Sequence, residues 1–212
     1  MVQIAGKPLL WHLMNIYAQQ GHHDFIIATG YLGHVIDDWV ADIPEGWNVN
    51  TLFTGLETQT GGRIQICMDE SNDDEFFVTY GDGLANVNLK DLLSFHKSNS
   101  FLATLTAVRP PARFGVLDIR NGFVSHFGEK LQQDSDWING GFFVVDRRVS
   151  RFIQSGDEPF ETGAIPRLVR EQRLGAFQHY GFWKPMDTLR EKQELDSLAN
   201  SNQPPWTIFG TI

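Results

Sequence analysis

The stretch Phe76-Phe77-Val78-Thr79-Tyr80-Gly81-Asp82-Gly83 is an apolar run that stops at a carboxylate held between two glycines. Such a run predicts a fully covered strand, and ligands of α/β sheets bind beyond the carboxyl ends of such strands. The glycines allow a sharp turn and the close approach of a charged ligand, and a hard cation with phosphate oxygens suits Asp82. A tight turn in which Asp82 caps its own backbone explains the same residues. Both interpretations stand at this point.

The segments around this strand alternate between helical and strand patterns. Helical spacing of apolar residues predicts helices at 9–17, 31–40, 61–68, 89–95, 162–172 and 188–197. Apolar and β-branched runs predict strands at 25–29, 48–53, 76–80, 103–108, 138–145 and 176–180, and a hairpin at 116–120 and 123–127 around Asn121-Gly122. This order predicts an α/β fold with a mixed, mostly parallel sheet flanked by helices.

Length and composition narrow the class of protein. We expect one domain over residues 1–212, because no segment has the composition of a linker. The net charge of -9 and the lack of a Lys/Arg cluster argue against nucleic acid as a partner. The single cysteine excludes a disulfide framework, and no Cys/His cluster has zinc spacing. Without a signal peptide or a long apolar run, we expect a cytoplasmic protein that does not bind membranes.

A second carboxylate follows a predicted strand in Gly181-Phe182-Trp183-Lys184-Pro185-Met186-Asp187-Thr188. Asp82 and Asp187 together would suit one Mg²⁺, which takes one or two carboxylates and leaves its other positions to water and phosphate. Thr188 and Glu191 have the spacing of a capping box for the last helix, which gives those two residues a structural role.

Two further stretches are weaker candidates. The loop Thr58-Gln59-Thr60-Gly61-Gly62-Arg63 precedes a helix, and the N–H groups at a helix start together with an arginine fork suit a phosphate group. Two glycines lie within the predicted strand in Ile138-Asn139-Gly140-Gly141. Glycine in a strand indicates that a ligand or another part of the protein approaches the backbone closely. The pair Glu129-Lys130 follows the hairpin, and taken alone it is ordinary solvated surface.

Taken in order, these stretches resemble the sugar-phosphate nucleotidyltransferases, and most closely the glucose-1-phosphate cytidylyltransferase family. The resemblance also rests on Gly6-Lys7-Pro8-Leu9-Leu10-Trp11-His12 and Arg113-Phe114-Gly115. It implies a Rossmann-like nucleotide-diphospho-sugar transferase fold and transfer from CTP to α-D-glucose 1-phosphate with Mg²⁺ as cofactor. A homo-oligomer is compatible with it.

The resemblance also implies roles for individual residues. Asp82 and Asp187 would hold Mg²⁺, and Thr58, Arg63 and Gly81 would contact the nucleotide. The same resemblance matches four residues to the sugar phosphate and its pocket: Glu129, Lys130, Asn139 and Gly140.

The chain departs from the family pattern in two places. The family has a first strand, a Gly-Gly-x-Gly-Thr-Arg loop and a catalytic lysine, and none of these is present in the sequence, so no catalytic lysine is assigned. Lys7-Pro8 matches a later Lys-Pro of the family, and we expect it to start the first helix. A segment of roughly twenty residues is also missing near residues 44–48. We expect it to be a surface loop, which can be lost without disrupting the core.

These departures lead to expectations about stability and activity. A missing interior strand leaves two neighbours with unpaired backbone groups, so we expect a truncated copy that is at best a weak enzyme. The alternatives are a non-catalytic remnant that binds sugar phosphate or partners a full-length homologue, and a metal-dependent glycosyltransferase. The glycosyltransferase class favours an Asp-x-Asp motif, whereas this strand ends in Gly81-Asp82-Gly83.

Overall fold

The computed structural model describes residues 1–43, 45–110, 115–129 and 136–207, with the backbone alone at 115–120 and 126–129. Six α-helices lie in these ranges: α1 Leu9–Ala18, α2 Gly33–Val40, α3 Thr60–Glu70, α4 Leu89–Ser98, α5 Ala164–Arg170 and α6 Leu189–Ala199. The described strands are β1 Gln3–Ile4, β2 Lys7–Pro8, β3 Asp24–Thr29, β4 Asn48–Phe53, β5 Glu75–Thr79, β6 Gly83–Ala85, β7 Ala103–Val108, β8 Gly115–Arg120, β9 Phe123–Glu129, β10 Ile138–Asp146, β11 Leu174–Gln178 and β12 Trp183–Pro185.

The central sheet has the strand order β11-β7-β10-β5. β10 runs antiparallel to both of its neighbours, whereas β11 and β7 are parallel. β5, β7 and β11 therefore share one direction and β10 alone is reversed. A separate parallel pair is formed by β3 and β4. The predicted mixed sheet flanked by helices is confirmed, and three of the four strands of the central sheet share one direction.

The local sequence accounts for the starts of α1 and α4. α1 begins directly after Pro8, as expected for Lys7-Pro8. The side chain of Asn88 accepts a hydrogen bond from the N–H of Asp91 at 3.1 Å and caps α4. Local side-chain chemistry thus sets these two helix starts.

Two apolar clusters form the core on the two sides of the central sheet. One packs around α1 and includes Leu13, Tyr17 and Phe142, and the other packs around α3 and α5 and includes Met68 and Phe143. Adjacent residues of β10 thus point to opposite clusters, as the period of two in a strand requires.

The prediction that the run at 76–80 is fully covered is wrong. Every residue of β5 is only partly buried. Among the described strands, β5 pairs with β10 alone and β3 pairs with β4 alone. A cavity of about 1060 Å³ lies between β3 and β5 and is lined by both strands along their length. We call it the open slot.

Candidate active site

The predicted site segments lie together at one end of the central sheet, where β5 and β7 end and β10 begins. We call this end the site edge. Thr79 at the carboxyl end of β5 is paired with Phe142 of β10, and Ile138 at the start of β10 is paired with Val108 at the end of β7. Because β10 is reversed, its first residues lie beside the carboxyl ends of its neighbours. Gly81 and Asn139 are therefore brought to the same edge, where ligands of α/β sheets bind.

Asp82 and Asp187 are brought together by a short ladder that joins distant parts of the chain. β6 and β12 pair antiparallel, with Gly83 opposite Pro185. The N–H of Met186 donates to the carbonyl oxygen of Asp82 at 2.8 Å. Both aspartates are exposed. Two aspartates separated by 105 positions in the sequence are therefore brought close enough for their charges to interact.

The electrostatics of Asp82 reflect this placement. Although the Asp82 side chain is in contact with solvent, the protein around its carboxyl group removes part of its hydration and raises its pKa above the usual range, and the charge of Asp187 raises that pKa further. A hydrogen bond from its own backbone acts in the opposite direction, so the turn interpretation of Asp82 holds as well. The repulsion between Asp82 and Asp187 favours a divalent cation at this position.

Asp187 is held in place by the cap of α6. The carboxylate of Glu191 accepts hydrogen bonds from the N–H groups of Asp187 and Thr188, both at 2.9 Å. The hydroxyl of Thr188 in turn accepts from the N–H of Glu191 at 3.2 Å. The predicted capping box is confirmed, and it fixes the backbone of Asp187 as well as the helix.

The glycines at the start of α3 have a packing role. A Cβ on Gly61 would lie 2.7 Å from the carbonyl oxygen of Glu158, and a Cβ on Gly62 would lie 2.6 Å from that of Gly156. The N–H of Gln59 donates to Gly156 O and that of Gly61 donates to Glu158 O. The N–H groups of Gln59 and Gly61 are therefore bonded to carbonyl groups of the protein. These are two of the N–H groups that the sequence suggested for binding an anion.

Thr58 and Arg63 hold the loop that follows β4. The Thr58 hydroxyl donates to the carbonyl oxygen of Thr54 at 2.6 Å. The Arg63 guanidinium donates to Thr29 O at 2.9 Å, to Thr54 Oγ1 at 2.5 Å and to Gly55 O at 3.1 Å. Arg63 therefore joins the carboxyl ends of β3 and β4, and its contact with a nucleotide stays a prediction.

The glycines of β10 accommodate neighbouring protein groups. A Cβ on Gly140 would lie 2.7 Å from Val108 Cγ1, and the carbonyl oxygen of Gly140 accepts from Trp183 Nε1 at 2.8 Å. Asn139 Oδ1 accepts from the N–H of Gly141 at 2.9 Å, where the pairing with β7 is irregular. The structure thus places Asn139 and Gly140 at the site edge, and their role in a sugar pocket stays a prediction.

Of the pair Glu129-Lys130, the structure describes only the backbone of Glu129. Glu129 ends β9, where its backbone pairs with Gly115. Lys130 lies outside the described residues. The predicted contacts of these two residues with a sugar phosphate therefore stay predictions.

The sequence did not indicate a polar network beside the site. The hydroxyl of Tyr80 donates to Glu161, and the hydroxyl of Thr60 donates to the other carboxylate oxygen of Glu161 at 2.8 Å. Thr60 Oγ1 also accepts from the N–H of Phe160 at 2.8 Å. The network joins the end of β5 to the start of α3. No local signal marks it, because Glu161 and Tyr80 are 81 positions apart.

The donor set at Asp82 and Asp187 fits Mg²⁺. Carboxylate oxygens are the ligands that Mg²⁺ prefers, and it keeps several positions for water and phosphate. In the part of the chain that the structure describes, no group of three or more His, Cys, Asp or Glu side chains has the geometry of a metal site. Among the described residues, the candidate cation site therefore rests on the two carboxylates of Asp82 and Asp187. None of the described helices is long and apolar enough to cross a membrane.

The fold and this edge define a class of protein, and comparison with known sequences identifies it. The model of the nucleotidyl transferase family matches residues 1–190, so the chain belongs to that family. A glucose-1-phosphate cytidylyltransferase of Salmonella typhimurium is 42% identical over 232 residues, covering 99% of this chain and 90% of the relative. A probable glucose-1-phosphate cytidylyltransferase of Bacillus subtilis is 35% identical over 231 residues, with 99% and 91% covered. Within the nucleotidyltransferases, the chain is therefore a member of the glucose-1-phosphate cytidylyltransferases.

Solved structures agree on the fold. The crystal structure of HddC from Yersinia pseudotuberculosis has a TM-score of 0.71 and 23% identity, and the match covers 93% of this chain and 88% of that chain. The alignment with the Salmonella typhimurium relative spans 232 residues against 212 in the chain, a difference of 20. The relative thus has at least 20 residues inside the alignment that this chain lacks. That they form one segment near residues 44–48 stays a prediction.

Proposed function

We propose that this chain transfers the cytidylyl group of CTP to α-D-glucose 1-phosphate. A phosphate oxygen of the sugar phosphate forms a bond to the α-phosphorus of CTP, the bond between the α- and β-phosphates breaks, and pyrophosphate leaves. The products are CDP-glucose and pyrophosphate. The observation that carries the proposal is the juxtaposition of Asp82 and Asp187 at the carboxyl edge of the sheet. The choice of sugar phosphate and nucleotide is supported by the names of the relatives.

Asp82 and Asp187 would hold Mg²⁺ in this reaction. The bound ion would neutralise the charge of the phosphates as pyrophosphate leaves. The protein must also align the two substrates, because the attacking and leaving oxygens must lie in line with the phosphorus. The cap formed by Glu191 serves alignment, since it fixes the backbone that carries Asp187.

The other predicted contacts divide between the two substrates. We assign Thr58, Arg63 and Gly81 to the nucleotide, as the resemblance to the glucose-1-phosphate cytidylyltransferases implies. The sugar phosphate is assigned to the four residues on or after the later strands: Glu129, Lys130, Asn139 and Gly140. The Arg63 fork is then shared between the loop carbonyls it already contacts and a phosphate oxygen.

Product formation tests this proposal. The purified chain is incubated with glucose 1-phosphate, Mg²⁺ and each of CTP, UTP, GTP and dTTP, and the nucleotide sugar is identified by mass. We expect CDP-glucose to form fastest and its formation to stop with a chelator. The matched control is the same protein with galactose 1-phosphate. No CDP-glucose above the protein-free rate, or faster use of another nucleotide, would contradict the proposal.

A further inference from the structure

We propose that Glu161 and Tyr80 are positioning residues of the sugar-phosphate site, because together they fix the orientation of the Asn139 side chain. The inference rests on the proposed function, in which Asn139 contacts the sugar phosphate. Glu161 lies in the loop before α5, Tyr80 directly follows β5, and Asn139 is the second residue of β10. The fold brings these three distant positions together at the site edge.

The ring of Tyr80 packs against the irregular part of β10. The pairing of β10 with β7 is disrupted between Asn139 and Phe143. Gly141 lies in this interval with a φ of 79°, and a Cβ there would lie 3.0 Å from Cδ2 of the Tyr80 ring. The N–H of Tyr80 also donates to Gly141 O at 3.2 Å. Tyr80 therefore supports the bulge beside which Asn139 is placed.

The hydrogen bonds of Glu161 set the direction of the Tyr80 hydroxyl. A carboxylate has only acceptors to offer. One oxygen of Glu161 accepts from the Tyr80 hydroxyl, and the other accepts from the Thr60 hydroxyl at 2.8 Å. Tyr80 gives its single proton to Glu161, so its oxygen has only lone pairs left for a second partner. That partner must be a donor.

The Asn139 amide supplies this donor. Burial and Glu161 raise the pKa of Tyr80 above the usual range, whereas a hydrogen bond from the Asn139 side chain acts in the lowering direction. A hydrogen bond that lowers the pKa of a hydroxyl comes from a donor, so the amide nitrogen of Asn139 faces Tyr80. The amide oxygen of Asn139 accepts from the N–H of Gly141 at 2.9 Å. Both ends of the amide are thus oriented by the protein.

A fixed amide presents a fixed pattern to a sugar. An asparagine side chain has two N–H donors and an oxygen with two lone pairs. Tyr80 and Gly141 use one of each, so one N–H and one lone pair stay available to a ligand. A site that pairs a hydroxyl in one position leaves its own polar groups unpaired when an epimer binds, and this is costly. We therefore assign to Glu161 a part in the selection of glucose over its epimers.

Glu161→Gln tests the inference, and Glu158→Gln is the matched control. Glutamine has the same size but offers a donor as well as an acceptor, so the Tyr80 hydroxyl and the Asn139 amide become free to reverse. Glu158 lies in the same loop, where its carboxylate accepts from the Arg167 guanidinium at 2.6 and 2.8 Å. Its replacement should lower Tm and leave the orientation of Asn139 unchanged.

Two readouts are measured for Glu161→Gln, for Tyr80→Phe and for the control. The first is the NMR signal of the Asn139 side-chain amide in the ¹⁵N-labelled chain, assigned by its loss in Asn139→Asp. The second is the set of KM values for glucose 1-phosphate, galactose 1-phosphate and CTP. We expect both test variants to shift the Asn139 signal and to raise KM for glucose 1-phosphate about fivefold, with KM for CTP within about twofold. Their preference for glucose 1-phosphate over galactose 1-phosphate should fall severalfold, and the control should change none of these values.

Three results would contradict the account. An unmoved Asn139 signal in Glu161→Gln would overturn the inference, because the amide would not depend on Glu161. Equal rises in KM for CTP and glucose 1-phosphate, or effects matched by Glu158→Gln, would overturn it as well, since they indicate a general loss of structure. A wild-type chain that forms no CDP-glucose would refute the proposed function, whereas the NMR signal needs no turnover and still decides whether Glu161 orients Asn139.

Discussion

The N–H of Met186 donates to the carbonyl oxygen of Asp82 at 2.8 Å, and this contact ties the loop that carries Asp187 to the turn that carries Asp82. The ladder between β6 and β12 supports it with three paired positions on each strand. The geometry of the carboxylate pair is therefore set by the backbone, while both side chains stay open to solvent and ligand.

Asp82→Asn should stabilise the protein without metal while it impairs the reaction. A carboxyl group with a raised folded-state pKa destabilises the fold above that pKa, and the cost disappears as the pH falls through it. We expect Tm at pH 7.5 in chelator to rise by at most about 4 °C, because exposed charge pairs contribute up to about 1 kcal/mol. The difference should shrink towards pH 4.

Calorimetry of Asp82→Asn and of Asp157→Asn provides the check. Asp157 is exposed in the loop before α5 and serves as the matched carboxylate, and its replacement should leave Tm within about 1 °C of wild type. A lower Tm for Asp82→Asn at pH 7.5 would show that Asp82 is chiefly a structural cap.

Glu191→Ala should weaken both the fold and the metal site. The side chain accepts from the N–H groups of Asp187 and Thr188, so its loss removes the cap of α6 and frees the backbone of Asp187. We expect a loss of about 1 kcal/mol in the free energy of unfolding and a severalfold higher Mg²⁺ requirement. Arg190→Ala, which breaks only an exposed pair with Glu194, should change neither. Equal effects of the two variants in urea titrations and Mg²⁺ activation curves would refute the positioning role.

Tyr80→Phe should destabilise the protein because it removes a donor from a partly buried carboxylate. Glu161 would keep the hydroxyl of Thr60 as its donor. We expect a loss of about 1 to 3 kcal/mol in urea unfolding. The matched control is Tyr180→Phe, since Tyr180 is 70% exposed and its hydroxyl contacts Gln178 at 3.1 Å. A loss no larger than that of the control would mean that the Glu161 network contributes nothing to stability.

Gly62→Ala tests the packing role of the glycines at the start of α3. The new Cβ would lie 2.6 Å from Gly156 O and 2.7 Å from Gly156 Cα, both backbone atoms. We expect a fall in Tm of about 2 °C or more, as overpacking costs about 1 to 3 kcal/mol. Gly156→Ala is the control, because its Cβ would meet nothing within 4 Å. An unchanged Tm for Gly62→Ala would show that the 154–160 segment yields freely.

The sequence predicted most elements because their patterns are local. The strands at 48–53 and 103–108 have the predicted bounds. The strand predicted at 176–180 lies at Leu174–Gln178, since its limits follow its pairing with β7. The three-residue strands β6 and β12 carry no periodic signal, and each needs a partner about a hundred positions away.

The sequence predicted that Asp82 and Asp187 come together, and it predicted the surroundings of the other candidate residues less well. Asp82 and Asp187 follow strands, and a general rule places such residues together. The glycine at position 140 predicted that another group packs closely against the backbone there. The sequence could not show that this group is Val108 together with Trp183. The partly buried state of β5 was also hidden, because an apolar run does not reveal whether a neighbouring strand covers it.

The central claim is that Asp82 and Asp187 together hold one divalent cation, and binding of Mn²⁺ followed by electron paramagnetic resonance tests it most directly. The measurement needs no turnover and uses the wild-type chain, Asp82→Asn, Asp187→Asn and the control Asp157→Asn. We predict one site in wild type and in the control, displaced by Mg²⁺, with affinity at least tenfold weaker in each of the other two variants. Unchanged Mn²⁺ affinity in either Asp82→Asn or Asp187→Asn would contradict the account.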